Sequence, residues 1–227
     1  EIIKEINKLS LEDQKKEFET VKDILSEREV REGLAELPEA DKKVVMRFAP
    51  SPSGALHIGH AITACLSFDY VKKYSGKFIV RIEDTNPENI YKPAYKLIEK
   101  DSKWLFGDKV KIVVQSERMN VYYKYSEKLI KKNAAYVCTC SGDEFREFSK
   151  NKKDCPCRKL SVRENLERWR KMFKDFKEGE AVLRFKSDMQ NPNPAMRDFP
   201  LDRINETSHQ LQKKKYRVWP LMNLAVV

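Results

Sequence analysis

The chain has 227 residues, of which 41% are hydrophobic and 10% aromatic, and it contains only seven glycines. This composition is typical of a folded globular protein and excludes a fibrous or largely disordered one. Its 45 Lys and Arg residues against 35 Asp and Glu residues give a net charge of +10, which fits either a polyanionic partner such as nucleic acid or a lysine-rich solubility surface.

Residues 1–40 are predicted to form a helical appendage to the main domain. Ser10 and Asp13 make a capping-box pattern. Apolar residues then recur at helical spacing, at Phe18, Val21, Ile24 and Leu25. Charges begin at the first residue and no stretch of about 18 apolar residues exists, so we expect neither a secretory signal nor a membrane span. The chain is expected to be cytoplasmic, with this appendage as a candidate contact for a protein partner.

Residues 41–139 alternate predicted strands and helices, beginning with the strand "VVMRF" at 44–48. A helix over 58–74 ends near Gly76, and "KFIVRIED" at 77–84 is the second strand. The strands "VKIVVQS" and "AAYVC" flank a further helix. The residues of that helix predicted to face inward are Val121, Tyr125, Leu129 and Ile130. This alternation is typical of a parallel sheet in an α/β domain.

Residues 140–215 break the alternation and are predicted to form an inserted module. They are basic and interrupted by proline, with a polar helix around 161–176, the strand "EAVLRFKS" and the segment "NPNPAMRDFP". The apolar segment 216–227 is then predicted to return to the first domain as a strand. Because the chain stops inside that segment with no turn or cap, we expect it to be a fragment.

The segment "RFAPSPSGALHIGHA" at 47–61 holds two of the three histidines of the chain. A strand, a tight turn and a helix bring backbone N–H groups and the positive helix end to a phosphate. His57 and His60 are three residues apart, so both imidazoles are predicted to reach one phosphate, and Gly59 leaves room for a nucleotide. A lone histidine at a helix start is more often a cap or a core residue, but the pair favours a phosphate site.

These motifs together resemble a known family. The "HIGH" tetrapeptide after "RFAPSPSGAL", followed by "RIEDTNPE", "NPAMRDFPLDRI" and "YRVWPLMNLAVV", is similar to class I aminoacyl-tRNA synthetases, and among them to glutamyl-tRNA synthetases of the archaeal and eukaryotic type. The resemblance implies an α/β fold, with a Rossmann-like parallel sheet whose first half is residues 41–139 and an acceptor-stem-binding insertion. It also implies ATP-dependent attachment of glutamate to tRNA through a glutamyl-adenylate, with Mg²⁺.

The resemblance also assigns roles to individual residues. It implies that His57 and His60 act in catalysis by donating hydrogen bonds to phosphates, and that Ser51 and Gly59 join them in binding ATP. The residues implied to bind the amino acid are Arg47, Ala49, Ser51 and Glu83. One departure stands in "WPLM", where Met222 and Trp219 replace family aromatics; because methionine donates no hydroxyl bond, discrimination of glutamate from glutamine stays open.

Four cysteines form two Cys-x-Cys pairs separated by a short segment. Their thiolates could close a tetrahedral zinc site, and the alternative is a set of reduced thiols in a loop. These residues are Cys138, Cys140, Cys155 and Cys157. Some members of the family carry a similar zinc site in the insertion, which implies Zn²⁺ as a structural cofactor here. Cys65 is predicted to be ordinary core packing.

The basic helix of the insertion leaves two interpretations of its aromatic residues. Trp169 and Phe173 could stack on unpaired tRNA bases or face the core of an amphipathic helix. For the whole protein, the alternatives are a glutaminyl-tRNA synthetase, a tRNA-modifying paralogue, or a non-catalytic RNA-binding module of the same fold. The lysine-rich second signature loop of the family is absent from these residues, so this fragment alone is expected to be inactive.

Overall fold

Residues Glu1–Asp41 form one unit and Lys42–Val227 form a second. The computed structural model describes residues 5–21, 33–40, 43–107 and 110–226. In the first unit, helix α1 spans Leu11–Val21. The predicted cap is present, because Asp13 N donates to Ser10 Oγ at 3.2 Å and Ser10 Oγ donates to an Asp13 carboxylate oxygen at 2.6 Å. The predicted Ile24 and Leu25 lie outside the described residues.

The second unit begins with a three-stranded parallel sheet, as the alternation predicted. Its strands are β1 (Val45–Phe48), β2 (Lys77–Ile82) and β3 (Lys111–Val114), in the order β1-β2-β3. Helix α2 (Ile58–Lys73) connects the first two strands, and α3 (Ala94–Phe106) connects the second and third. Their core includes the fully buried Val80 and Ile98. Because both strand pairings are parallel, the carboxyl ends of all three strands lie at one edge of the sheet.

The turn between α2 and β2 needs glycine for lack of space. Gly76 N donates to Val71 O at 2.8 Å and stops the helix, where a glycine stop was predicted. A Cβ atom on Gly76 would lie 2.4 Å from the Val44 carbonyl oxygen, so a larger residue would push the strand entrance away from the helix end.

After helix α4 (Met119–Lys131) the chain builds a second, antiparallel sheet. Its strands, in the order β4-β5-β6-β7, are β4 (Ala135–Cys138), β5 (Val182–Phe185), β6 (Pro200–Ile204) and β7 (Val218–Pro220). Helices α5 (Gly142–Lys150) and α6 (Val162–Met172) lie between the first two strands, and the short α7 (Met222–Ala225) follows the last. The core of this sheet contains Met172, Leu183 and Trp219.

Strand pairing differs from the sequence prediction at both ends of the insertion. The strand at "AAYVC" was predicted to follow the others into the parallel sheet, and 216–227 was predicted to return to it. Instead Val137 pairs with Leu183 and Trp219 pairs with Arg203, all antiparallel. An apolar run predicts a buried strand but carries no information about its partner, which here lies 46 positions from Val137 and 16 positions from Trp219.

Two inward-facing predictions on α4 were wrong. Val121 and Tyr125 are 40% and 52% exposed, because the helix buries its other face. That buried face consists of Met119, Tyr122, Ser126 and Ile130. On α6, Trp169 is buried and Phe173 packs against the same core, which is the core-facing alternative for these aromatics. Of the helices that the structure describes, none combines the length and apolarity that a bilayer crossing requires.

Candidate active site

The start of α2 is a reciprocal cap made by two histidines. His57 is the N-cap residue, and its Nδ1 accepts from Gly59 N at 3.2 Å. His60 Nδ1 accepts in return from His57 N at 3.3 Å. The two ring centroids lie 3.8 Å apart. The structure therefore brings the two imidazoles together at the helix N-terminus, and their reach to one phosphate stays a prediction.

These hydrogen bonds decide which nitrogen of each ring carries the proton. A nitrogen that accepts an N–H bond bears no proton, so each neutral ring carries its proton on Nε2. Burial, and then the neighbouring His57, lower the pKa of His60 below its usual 6.5. A Cβ on Gly59 would lie 3.1 Å from His57 Cε1 and would crowd that ring. The pair thus presents two Nε2–H donors beside the positive end of α2.

Two arginines and one glutamate meet where β1 and β2 end. Arg81 donates from Nη2 to Glu83 Oε1 at 2.6 Å, and its Nη1 lies 3.5 Å from the Val226 carbonyl oxygen. Arg47 donates to that same carbonyl at 2.9 Å. The family resemblance implied that Arg47 and Glu83 bind the amino acid, but it gave no role to Arg81. A charged residue inside the apolar strand "FIVRI" was a signal that could have indicated one.

The loop between β1 and α2 is fastened to the end of β2. Glu83 N donates to Pro50 O, and Tyr91 N donates to Pro52 O, both at 2.8 Å. Ala49, half-buried, and Ser51, exposed, stand on this loop. The structure therefore brings the predicted residues Arg47, Ala49, Ser51 and Glu83 to one edge of the parallel sheet, the edge at which α/β proteins bind ligands.

The two residues of the "WPLM" segment are placed differently from one another. Trp219 is fully buried and stacks on His209 with 4.9 Å between ring centroids. Met222 is 71% exposed at the start of α7. Trp219 is thus part of the core, and Met222 is free to face a ligand or the rest of the protein.

Asp84 is buried and accepts several hydrogen bonds, and sequence analysis predicted no role for it. Its carboxylate accepts from Ser116 N at 2.8 Å, from Ser116 Oγ at 2.7 Å and from the Tyr95 hydroxyl at 2.8 Å. Burial and the Asp84 charge together raise the pKa of Tyr95, so this phenol stays a proton donor. The available signals were the adjacent acids "ED" at a strand end and the polar "QS" at the end of the next strand.

The four predicted cysteine ligands come together in a second cluster. Their sulfur atoms all lie within 4.8 Å of one another, with 3.9 Å between Cys138 and Cys155 and 3.8 Å between Cys140 and Cys157. Zinc–thiolate bonds of about 2.3 Å in a tetrahedron separate the sulfurs by about 3.8 Å. The donor set and its spacing therefore fit one zinc ion.

Hydrogen bonds around this cluster favour the thiolate form of Cys155 and Cys157, whereas the hydrogen bond to Cys155 raises the pKa of Cys138 and burial raises the pKa of Cys140. Cys157 Sγ accepts from Thr139 N and from Arg168 Nη1, each at 3.4 Å. A hydrogen bond from Cys138 is the main cause that lowers the pKa of Cys155 to about 5. Because zinc binds thiolate rather than thiol, Cys155 and Cys157 are close to the form that binds a metal ion, and Cys138 and Cys140 would release their protons on binding it.

Comparison with known proteins gives a consistent result. A family model described as tRNA synthetases class I (E and Q), catalytic domain, matches residues 43–227. The chain is 47% identical over 226 residues to a glutamate–tRNA ligase of Methanothermobacter marburgensis and 47% identical over 236 residues to one of Pyrococcus furiosus, covering 99% of this chain and 41% of each relative. The chain thus spans about two fifths of the length of the curated relatives it matches.

A solved structure shares the fold. It is the crystal structure of a glutamate tRNA ligase from Elizabethkingia meningosepticum in complex with its amino acid, with a TM-score of 0.57 and 23% identity. The match covers 82% of this chain and 41% of that one.

Proposed function

Because this chain belongs to the class I tRNA synthetases of the E and Q type, we propose that the full-length protein attaches glutamate to tRNA through a glutamyl-adenylate. Relatives at 47% identity that bear the name glutamate–tRNA ligase support the choice of substrate. The observation that carries the proposal is the placement of the two groups: the His57–His60 pair starts the helix that follows β1, and Arg47, Arg81 and Glu83 lie on β1 and at the end of β2.

The two histidines act as fixed donors in this reaction. The α-carboxylate of glutamate attacks the α-phosphorus of ATP, and pyrophosphate leaves as the bond to it breaks. Negative charge builds on the phosphate oxygens during this step, and donors already aimed at that place stabilise it without reorganising. The Nε2–H groups of His57 and His60 supply such donors in the neutral form of each ring.

The charged groups at the ends of β1 and β2 suit a zwitterionic amino acid. A guanidinium can bond both oxygens of a carboxylate, so we assign the substrate side chain to Arg47, with Arg81 behind it. Glu83 is assigned to the substrate ammonium group, and Ala49 and Ser51 to the wall of the pocket. Arg81 holds the Glu83 carboxylate at 2.6 Å, which fixes it as an acceptor.

Two metals enter the proposal in different ways. Among the described residues, the cysteine cluster is the one group of three or more His, Cys, Asp or Glu side chains close enough to share an ion. Mg²⁺ is therefore assigned chiefly to the ATP phosphates, whose charge it neutralises. Zinc is assigned to Cys138, Cys140, Cys155 and Cys157, where it would tie β4 to the segment before α6.

The antiparallel part of the chain is proposed to bind the tRNA acceptor stem. It carries exposed cations on α6 and on the turn 213–215, and basic surfaces attract the phosphate backbone. Residues 1–40 are proposed as a contact for a protein partner, since nearly all described residues of α1 are exposed, including Leu11 and Phe18.

The test is ATP–pyrophosphate exchange by the full-length protein, with glutamate or glutamine and with or without tRNA. Exchange that depends on glutamate is the expected result. Exchange with glutamine alone would show a glutaminyl-tRNA synthetase instead. A folded protein that supports no exchange with either amino acid would overturn the enzyme proposal and leave the RNA-binding module as the function.

A further inference from the structure

The third histidine of the chain, His209, does not belong to the His57–His60 pair and contacts Asp84 just after the end of β2. His209 is fully buried, and its Nε2 lies 2.8 Å from the backbone carbonyl oxygen of Asp84. The two residues are 125 positions apart in the sequence. A turn of the antiparallel part of the chain thus contacts the residue that follows Glu83.

The His209 ring is held in one orientation by its own turn. Its Nδ1 accepts from Leu211 N at 3.1 Å and from Gln212 N at 3.0 Å. The proton therefore sits on Nε2, which donates to Asp84 O. Trp219 covers one face of the ring at an interplanar angle of 18°. The histidine is a rigid donor rather than a mobile side chain.

The dipeptide Glu83–Asp84 is consequently fastened at both ends. At its start, Glu83 N donates to Pro50 O at 2.8 Å, and at its end Asp84 O accepts from His209. Ser116 holds the Asp84 carboxylate from the side, and Gln212 Nε2 lies 3.4 Å from Ser116 Oγ. The turn 209–213 therefore contacts Asp84 directly through His209, whose Nε2 lies 2.8 Å from the backbone oxygen and 3.4 Å from a carboxylate oxygen of Asp84. It contacts Asp84 indirectly through Gln212 and Ser116.

We propose that His209 is a positioning residue for the amino-acid end of the site, acting through the Asp84 carbonyl to hold the Glu83 carboxylate in place. The inference rests on the proposed function, in which Glu83 receives the substrate ammonium group. His209 itself touches no substrate. Its loss is expected to weaken binding of the amino acid while leaving binding of ATP at the His57–His60 pair unchanged.

Two substitutions separate this role from support of the turn. The oxygen of an asparagine at a turn start accepts the N–H bonds of the second and third following residues, so His209→Asn keeps the bonds to Leu211 and Gln212. Its shorter amide does not reach Asp84. His209→Gln has the reach of Nε2 and restores a donor to Asp84 O. Met172→Ala is the matched control, because Met172 is fully buried in the same unit but lies outside the Asp84 network.

The experiment measures KM for glutamate and for ATP by pyrophosphate exchange with tRNA present, together with melting temperature, on the full-length protein. His209→Asn is expected to raise KM for glutamate about tenfold with KM for ATP within about twofold, and His209→Gln to recover part of the loss. Met172→Ala is expected to lower the melting temperature without changing KM for glutamate.

Three results would overturn the inference. One is an unchanged KM for glutamate in His209→Asn. Another is a rise of both KM values that follows the melting temperature and appears equally in Met172→Ala. Absence of glutamate-dependent exchange in the wild-type protein would instead overturn the proposed function, and the positioning role with it.

Discussion

Arg47 donates a hydrogen bond to the backbone carbonyl oxygen of Val226 at 2.9 Å, joining the first strand of the parallel sheet to the end of α7. Arg81 approaches the same oxygen from β2. Two guanidinium groups on neighbouring strands therefore converge on one acceptor. Under the proposed function, this is the point at which the side-chain carboxylate of the substrate would meet both cations.

Replacing Arg47 tests that point directly. Arg47→Lys in the full-length protein is expected to raise KM for glutamate about tenfold to a hundredfold, since lysine cannot form the planar two-bond contact. KM for ATP should stay near the wild-type value. The measurement is pyrophosphate exchange at varied glutamate. Lys131→Arg is the control, because Lys131 is 59% exposed at the end of α4, outside the part proposed to bind tRNA. Equal KM values in both variants would exclude Arg47 from carboxylate binding.

The helix cap and the phosphate contact can be separated at His57. Asparagine is a strong N-cap residue, so His57→Asn should keep the melting temperature near that of the wild type. It lacks the outward Nε2–H, and the exchange rate should fall about a hundredfold to a thousandfold. His57→Ala should lose both the helix cap and the Nε2–H donor, and its free energy of unfolding should fall by about 1 kcal/mol. Wild-type exchange by the asparagine variant would contradict the donor role.

The cysteine cluster predicts one zinc ion per chain. Elemental analysis of the purified protein should find it, and Cys157→Ser should lose it and melt at a lower temperature. Cys65→Ala is the matched control, because Cys65 packs against the core of the parallel sheet and should leave the zinc content unchanged. A wild-type protein that contains no zinc, and whose melting temperature does not change when zinc is added, would show that the four thiols need no metal.

Burial of Asp202 predicts a pH-dependent stability. Desolvation raises the pKa of this carboxyl from 3.8 to about 7 in the folded protein, opposed by a hydrogen bond from Ser126. The folded state therefore holds the proton more tightly than the unfolded chain does. The resulting stabilisation is complete below about pH 4 and is lost as the pH rises through about 7.

Asp202→Asn removes this dependence and should gain stability relative to the wild type as the pH rises. The difference in free energy of unfolding should grow by about 1.4 kcal/mol per pH unit between about pH 4 and 7, and level off above that. Urea denaturation followed by tryptophan fluorescence at several pH values measures it. Parallel curves for the two proteins would show that Asp202 is ionised in the folded state.

Local patterns in the sequence predicted most individual elements but not all of their partners. The helix after "HIGH" and the strands "VVMRF" and "KFIVRIED" follow from periodicity, turn residues and a glycine stop, which act over a few residues. The strand "AAYVC" was predicted equally well, yet its partner is β5. Pairing is decided by packing between distant segments, and no local signal records it.

The candidate site divides in the same way. The histidines, Arg47 and Glu83 stand in short motifs that resemblance could assign. Asp84 and His209 could not be joined from the sequence, because their contact depends on a turn near the end of the insertion, 125 positions further along the chain. Arg81 was missed because a charged residue in a strand is more often exposed. Here the Glu83 carboxylate and the Val226 carbonyl oxygen offset the cost of burying its guanidinium group.

The reciprocal cap of His57 and His60 also limits how this segment can vary among related sequences. Each ring serves the start of the helix with one nitrogen and leaves the other for a ligand, so even a replacement that keeps the cap, such as asparagine at 57, removes one of the two imidazole donors. A joint change to serine at 57 and glutamate at 60 would restore an ordinary capping box while removing both imidazoles. A related protein with this double change would therefore be expected to keep the fold of the domain and to lack the two imidazole donors.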